Sequence, residues 1–362
     1  MQSVLEATSN FPSEIIVVDN HSDDGSCEMI RTNYPQVKLI ENSENLGFPK
    51  GNNIGVAVAR GEYICILNPD TVVPEDVFTK LFKFAETKTN LGIVGVKQLD
   101  GSGNFLPESK RGIPTPWVAF TRFSGLYKVS PKWFGKYYFP KLAENETGVT
   151  EILVGSFMFM KKQVFESVGG FDEGCFMYAD DIDLSYEILK KGYSNFYFPQ
   201  TAIIHFKGES TQKDAVFLNR FREAMNFFYK KHFKFNYVFD WVLRLGISFF
   251  SIQKLVTLRR FEKMANKPSG FFYVGNSTEA VASLQKALPG KLSMLSLEKL
   301  KLISHGNNTE IILDANSLTF NQIIECMAAL KNAGFTFKIL PKNSTFIVGS
   351  NYAAARGEIV TF

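Results

Sequence analysis

Four short apolar runs, each ending in polar residues, constrain this chain more than any other feature. They are "EIIVVDN" (14–20), "VKLIEN" (37–42), "EYICILNPD" (62–70) and "LGIVGVKQLD" (91–100). Continuous apolar runs of this length read as strands buried on both faces. Helical patterns lie between them. "HSDDGSCEMIRTNY" opens a helix with Ser22, Asp23 or Asp24 as cap, "NNIGVAVARG" ends at Gly61, and "PEDVFTKLFKFAET" has Pro74 near its first turn. The alternation predicts an α/β fold with a mostly parallel sheet and ligands at the carboxyl ends of the strands.

The 362 residues suffice for two domains, and a net charge of +4 is too small to argue for a nucleic-acid partner. Cys27, Cys65, Cys175 and Cys326 are scattered with no metal-ligand or disulfide spacing, which points to a reducing, cytoplasmic setting. The opening "MQSVLEATSN" does not read as a signal peptide, and no run of apolar residues is long enough for a membrane span. From Lys230 to Lys263 eight Lys/Arg stand against two acids among aromatic and aliphatic residues. That composition suits an amphipathic helix on an anionic membrane surface, peripheral on its inner face, and equally a basic helical linker packed on the preceding domain. "NKPSG" (266–270) is a turn-rich boundary. Beyond it strands and helices alternate again, predicting a small Rossmann-like unit. Its Gly275 turn lacks the full dinucleotide fingerprint. The expected domains are 1–229, a linker 230–265, and 266–362.

Five segments carry candidate chemistry. "VVDNHSDDGS" delivers Asp19, Asn20, Ser22 and Asp24 to a strand end, either to bond a nucleotide or to make a turn and cap. "ENLGFPKGNNIGV" reads as a loop of small hydrogen-bonding residues (Asn45, Gly47, Asn52, Asn53) ahead of a helix, able to offer N–H groups to phosphate. "LNPDT" places Asn68 and Asp70 on one side of an extended segment, as ligands for a hard cation or as an Asx-turn. "FMYADDIDL" puts Asp180 and Asp181 on a helix start, about 100° apart, so they can take separate tasks. Asp183 there reads as a structural acid on the first turn. In "HFKGES", His205 ends a strand and could complete a metal shell.

The ordered set "VVDNxSxDGS", "NxGFxxGNNxGV", "LNPDT", "GGFDExxFMYxDDxDL" and "HxxGxS" resembles family 2 glycosyltransferases of the GT-A fold, closest to a rhamnosyltransferase-like subgroup that builds bacterial surface polysaccharide. The resemblance covers roughly residues 1 to 240. It implies an inverting hexosyltransferase that moves a sugar, rhamnose from dTDP-rhamnose being one option, to a glycan or lipid-linked acceptor. Residues Asp19 and Asn20 would meet the base and ribose, Asn45 to Asn53 would support the phosphates, and Gly155 and Ser156 would line the sugar site. Asp70 and His205 would hold Mg2+ or Mn2+, Asp181 would be the catalytic base, and Asp180 would hold substrate hydroxyls. Asn68 stands where the family more often has Asp. The family also opens with an interior strand ending in a Tyr-Asn segment, whereas this sequence starts in the helix that follows it. The expectations are therefore a reading frame that extends upstream and unpaired backbone on that strand's two neighbours. A non-catalytic, truncated scaffold of the same fold is the alternative.

Overall fold

The computed structural model describes residues 1–123, 137, 142–207, 215–233, 268–300, 302–303, 305–306, 308–350 and 357–362. The strands are β1 (Ile16–Asp19), β2 (Lys38–Glu41), β3 (Tyr63–Leu67), β4 (Thr71–Val72), β5 (Leu91–Leu99), β6 (Gly148–Thr150), β7 (Phe157–Lys161), β8 (Ser194–His205), β9 (Gly270–Val274), β10 (Lys291–Leu295), β11 (Thr309–Asp314), β12 (Phe335–Leu340), β13 (Phe346–Gly349) and β14 (Glu358–Thr361). The helices are α1 (Gln2–Ala7), α2 (Ser26–Asn33), α3 (Gly47–Ala57), α4 (Val77–Glu86), α5 (Pro116–Phe123), α6 (Lys162–Ser167), α7 (Asp180–Lys190), α8 (Ala215–His232), α9 (Thr278–Ala287), α10 (Leu297–Leu300) and α11 (Phe320–Ala329).

The α/β class is as expected, with the strands mixed in direction. The central sheet runs β3-β7-β5-β8-β4, with β6 on β8. Strands β3, β5 and β8 point one way, but β7 runs opposite between β3 and β5, and β4 and β6 run opposite to β8. The sheet is thus less parallel than the early β/α alternation predicts. That alternation stops after β5: α5 and β6 lie between β5 and β7, and β7 enters antiparallel. Strands β1 and β2 pair with each other, parallel, in a separate two-stranded sheet. Among the described residues no ladder joins β1 to β3, so each is bonded along one edge only, as expected for neighbours of an interior strand.

Two helices begin elsewhere than the sequence suggests. Helix α2 starts at Ser26 behind Gly25, which is left-handed (φ 81°) and offers no side-chain cap. Asp24 instead accepts the Ser26 amide at 3.0 Å in a local turn. Helix α3 starts at Gly47, five residues before Asn52, so the Gly/Asn-rich segment is helix rather than loop.

The second unit has the order β10-β9-β11-β12-β13-β14, the first four strands parallel. It is the small Rossmann-like α/β unit expected, and it shares a core with the first. Leu99 of β5 and Ile204 of β8 pack with Phe320, Ile323, Ile324 and Met327 of α11, and Phe206 lies against the same cluster. Polar contacts reinforce the joint. Gln2 exchanges two hydrogen bonds with the Lys342 backbone, at 2.8 and 2.9 Å. Glu75 accepts the first amides of α11, Phe320 N at 2.5 Å and Asn321 N at 3.0 Å. A carboxylate there satisfies donors that the helix cannot and complements its dipole.

Basic linker 230–265 lies outside the described residues beyond Phe233. Its described start is tied to the first domain, because Lys231 pairs with Asp172 (2.6 Å) and Asp183 (2.8 Å). No helix of the described residues is long and apolar enough to cross a membrane.

Glu75→Ala removes charge-assisted hydrogen bonds at the joint. It is expected to lower stability by roughly 1–3 kcal/mol in urea denaturation, with Glu75→Gln losing less. An unchanged midpoint for both would show that Glu75 does not hold the two units together.

Candidate active site

Two side-chain groups meet on the turn Val154-Gly155-Ser156, which enters β7. The first is the acid pair. Helix α7 opens at Asp180 behind Ala179, with no side-chain cap. Tyr178, two residues earlier, has φ 76°. A bulky residue in the left-handed region costs energy that the surroundings must supply, a common signature of a functional turn. Asp181 Oδ2 accepts the Arg111 guanidinium at 2.5 Å and the Gly155 amide at 3.0 Å. A Cβ at Gly155 would lie 3.2 Å from Asp181 Cβ, so a side chain there would press on the acid. Asp180 and Asp181 are both 8% exposed. Burial, followed by repulsion from Asp181, pushes the Asp180 carboxyl up to about 7.

The second group surrounds Asp70. Its Oδ1 lies 3.4 Å from His205 Nε2, and β4 pairs Thr71 directly with His205. The other ring nitrogen, Nδ1, is 3.1 Å from Gln98 Oε1, which also accepts the Ser156 hydroxyl at 2.8 Å. A carbonyl oxygen only accepts, so Nδ1 carries a proton, and in the neutral imidazole Nε2 turns its lone pair toward Asp70. Two acceptors therefore face each other, an arrangement that calls for a cation between them. The acceptors left over agree: Asn68 Oδ1 and Asp70 Oδ1 are buried without a hydrogen-bond partner. Asn68, Asp70 and His205 thus fit a hard divalent cation, with Gln98 orienting the imidazole from behind.

The Gly155–Ser156 turn links the groups: Gly155 N holds Asp181, while Ser156 holds Gln98 with its hydroxyl and Asn68 N with its carbonyl (3.0 Å).

The amino-terminal candidates sit differently. Asn20 gives its amide to Gly47 O at 2.9 Å and accepts from Asn42 at 2.9 Å. Asn45 accepts Gly47 N, Asn52 bonds Phe48 O, and Asn53 clamps the Phe171 backbone in both directions. These asparagines brace the protein. The expected phosphate cradle of N–H groups is also corrected: Gly47 N and Phe48 N are already bonded, Pro49 has none, and later amides lie inside α3. Asp19 accepts Ser22 N at 2.8 Å, and hydrogen bonds from Ser22 and Cys27 outweigh a burial cost to hold its carboxyl below the usual range. Ser22 and Asp24 stand exposed beside it. Beside this edge Gly47 excludes a side chain, since its φ is 80° and a Cβ there would lie 2.8 Å from Phe176.

Asp183 is structural, though not as a cap. It anchors α8, bonding Lys231 at 2.8 Å and His232 at 2.6 Å. Asp183, Glu187 and His232 are close enough to hold a metal, but the Lys231 ammonium already supplies the cation there. Sequence reading missed Arg111 and Gln98. Arg111 lay in an irregular stretch with no pattern. Gln98 carried a signal, a polar residue inside an apolar strand that proves 0% exposed.

The Asp180 shift predicts how stability depends on pH. A folded-state value above the unfolded one means the native protein binds more protons between about 4 and about 7. This group's contribution is therefore present at low pH and lost as pH rises through that window. Asp180→Asn should flatten the fall in unfolding free energy measured by urea denaturation at pH 5 and pH 8. A slope equal to that of wild type would remove Asp180 as its source.

Parts of this chain are similar to known proteins. Residues 1–169 match the family model described as Glycosyl transferase family 2. The chain is 27% identical over 223 residues to N-acetylglucosaminyl-diphospho-decaprenol L-rhamnosyltransferase of Mycobacterium tuberculosis, covering 59% of this chain and 72% of that protein. It is 24% identical over 259 residues to rhamnosyltransferase WbbL of Escherichia coli, covering 69% and 87%. Among solved structures, the mannosyltransferase PcManGT of Pyrobaculum calidifontis, in complex with GDP-Man and Mn2+, covers 74% of this chain and 70% of that one, at 19% identity and a TM-score of 0.45. Residues 1–169, just under half of the chain, thus resemble glycosyl transferase family 2, and the relatives matched over most of their own length are glycosyltransferases.

Proposed function

We propose that the protein transfers a sugar, with inversion, from a nucleoside diphosphate sugar to a glycan or lipid-linked acceptor in surface polysaccharide synthesis. Rhamnose from a dTDP donor is the first sugar to try, since the rhamnosyltransferases above are similar over most of their length. The observation that carries the reading is the meeting of Asp181 and the Asp70–His205 pair on one turn.

In this reading Asp181 takes the proton as the acceptor O–H bond breaks. The acceptor oxygen bonds the anomeric carbon, and the bond from that carbon to phosphate oxygen breaks, its electron pair leaving with the diphosphate. Asp180 holds a substrate hydroxyl. Asp70 and His205, with Asn68 beside them, would hold Mg2+ or Mn2+, which supplies positive charge to the departing diphosphate. The edge formed by Asp19 and Ser22 is proposed to meet the nucleoside, with Asn20 bracing it from behind. Residues 230–263 are proposed to bring the enzyme to anionic lipid on the cytoplasmic face. Flotation of the full-length protein with anionic liposomes tests that, and failure to float removes it.

With dTDP-rhamnose, Mn2+ and a lipid-linked N-acetylglucosamine acceptor, Asp181→Asn should lower transfer by about 10²- to 10⁴-fold. Equal rates would remove Asp181 as the base. Gln98→Leu frees the imidazole to rotate and should weaken Mn2+ binding, read by electron paramagnetic resonance, by about 10- to 100-fold. Asp70→Asn should weaken it at least as much. Unchanged Mn2+ affinity in both variants would move the metal elsewhere.

A further inference from the structure

The acid pair raises a problem that its two members cannot solve alone. Asp180 and Asp181 are adjacent and buried, so ionising both is costly, and one tends to keep a proton. If the proton sat on Asp181, that group could not accept another. What breaks the tie is Arg111. Its backbone is locked to Ile152 by two hydrogen bonds of 2.9 Å. Its guanidinium donates to Leu153 O at 3.1 Å and to Asp181 Oδ2 at 2.5 Å. Burial opposes its charge, but Asp181, and then Tyr137, raise its basicity further. A guanidinium so placed remains charged.

We propose that Arg111 is a positioning residue for the transfer reaction: it pins one oxygen of Asp181 and keeps that carboxylate charged, so that Asp180 is the member of the pair that holds a proton. The inference rests on the glycosyltransferase reading for its consequence in the reaction, but its electrostatic content stands on the contacts alone. With Oδ2 held by Arg111 and Gly155 N, Oδ1 is the oxygen left for the acceptor hydroxyl. A neutral Asp180 beside it can donate a hydrogen bond to substrate instead of repelling the charge on Asp181.

The other groups facing the pair do not compete for this role. Cys175 is held neutral, its thiol pushed up to about 12 by burial and then by Asp180. Tyr137 interacts with the guanidinium of Arg111. Asp183 is one turn further into α7 and is engaged by Lys231 and His232 of α8. Arg111 is therefore the cation in direct contact with the pair among the described residues.

The test is a carboxyl titration followed by 13C NMR on full-length protein labelled at aspartate, with Asp180→Asn and Asp181→Asn used to assign the two signals. In wild type, Asp180 should be the member that titrates late. In Arg111→Gln, Asp181 should titrate at least one pH unit higher than in wild type. The acidic limb of kcat/KM for sugar transfer should move up by the same amount. A purely structural role would lower stability and move neither. An Asp181 titration unchanged in folded Arg111→Gln overturns the proposal.

Arg111→Lys guards against a variant that does not fold. It keeps the charge but lacks the reach and planar fork of the guanidinium, so the Asp181 titration should stay as in wild type while kcat falls about 10-fold or more. A shifted titration, or an unchanged kcat, in that variant also overturns it. If wild type transfers no sugar from dTDP-rhamnose or other nucleoside diphosphate sugars, the function proposed above fails, and the titrations still decide the role of Arg111.

Discussion

The site depends on a short turn that serves two clients at once. Gly155 offers its amide to Asp181, and Ser156 offers its hydroxyl to Gln98 and its carbonyl to Asn68. Asp181 and the Asp70–His205 pair come from three separate segments, Asp70 lying 111 residues before Asp181 and His205 24 residues after it. Their relative position is set by this turn and by the strands on either side of it. Strand β7 carries the turn into the sheet between β3, which delivers Asn68 and Asp70, and β5, which delivers Gln98. The antiparallel entry of β7 is what places the start of that strand beside the carboxyl ends of its two neighbours. A purely parallel sheet would have placed the turn at the opposite edge.

The second α/β unit bears on the same geometry. Ile204 and Phe206 flank His205, and both pack into the core built around α11. The strand end that presents the imidazole is thereby held by apolar contact with the carboxyl-terminal unit, while Gln98 holds the ring itself. The two units act as one support for the metal pair. That gives the carboxyl-terminal unit a structural task.

Much of this was legible in the sequence, because its signals were of the kinds that sequence displays. Buried strands show as apolar runs, so β1, β2, β3 and β5 could be placed. The acids of α7 and the "LNPDT" segment stand out because ionisable residues at strand and helix ends have few structural uses in combination. The failures have equally physical causes. The asparagines from 45 to 53 suggested a ligand-binding loop, since side-chain amides serve a phosphate and a neighbouring backbone equally well. Folding assigns Asn20, Asn52 and Asn53 to the backbone. Arg111 was invisible because nothing local marks an arginine whose partner, Asp181, lies 70 positions away. The direction of β7 could not be read either, as strand polarity follows from the path between elements rather than from their composition.

The central claim is that Asp70 and His205 face each other across a cation site beside the Asp181 base. An anomalous difference map, from crystals grown with Mn2+ and a nucleoside diphosphate and recorded near the manganese edge, tests it most directly. The account predicts one strong peak between Asp70 Oδ1 and His205 Nε2, with diphosphate oxygens completing the shell. A peak at Asp183, Glu187 and His232, or none between Asp70 and His205 with nucleotide bound, would contradict it.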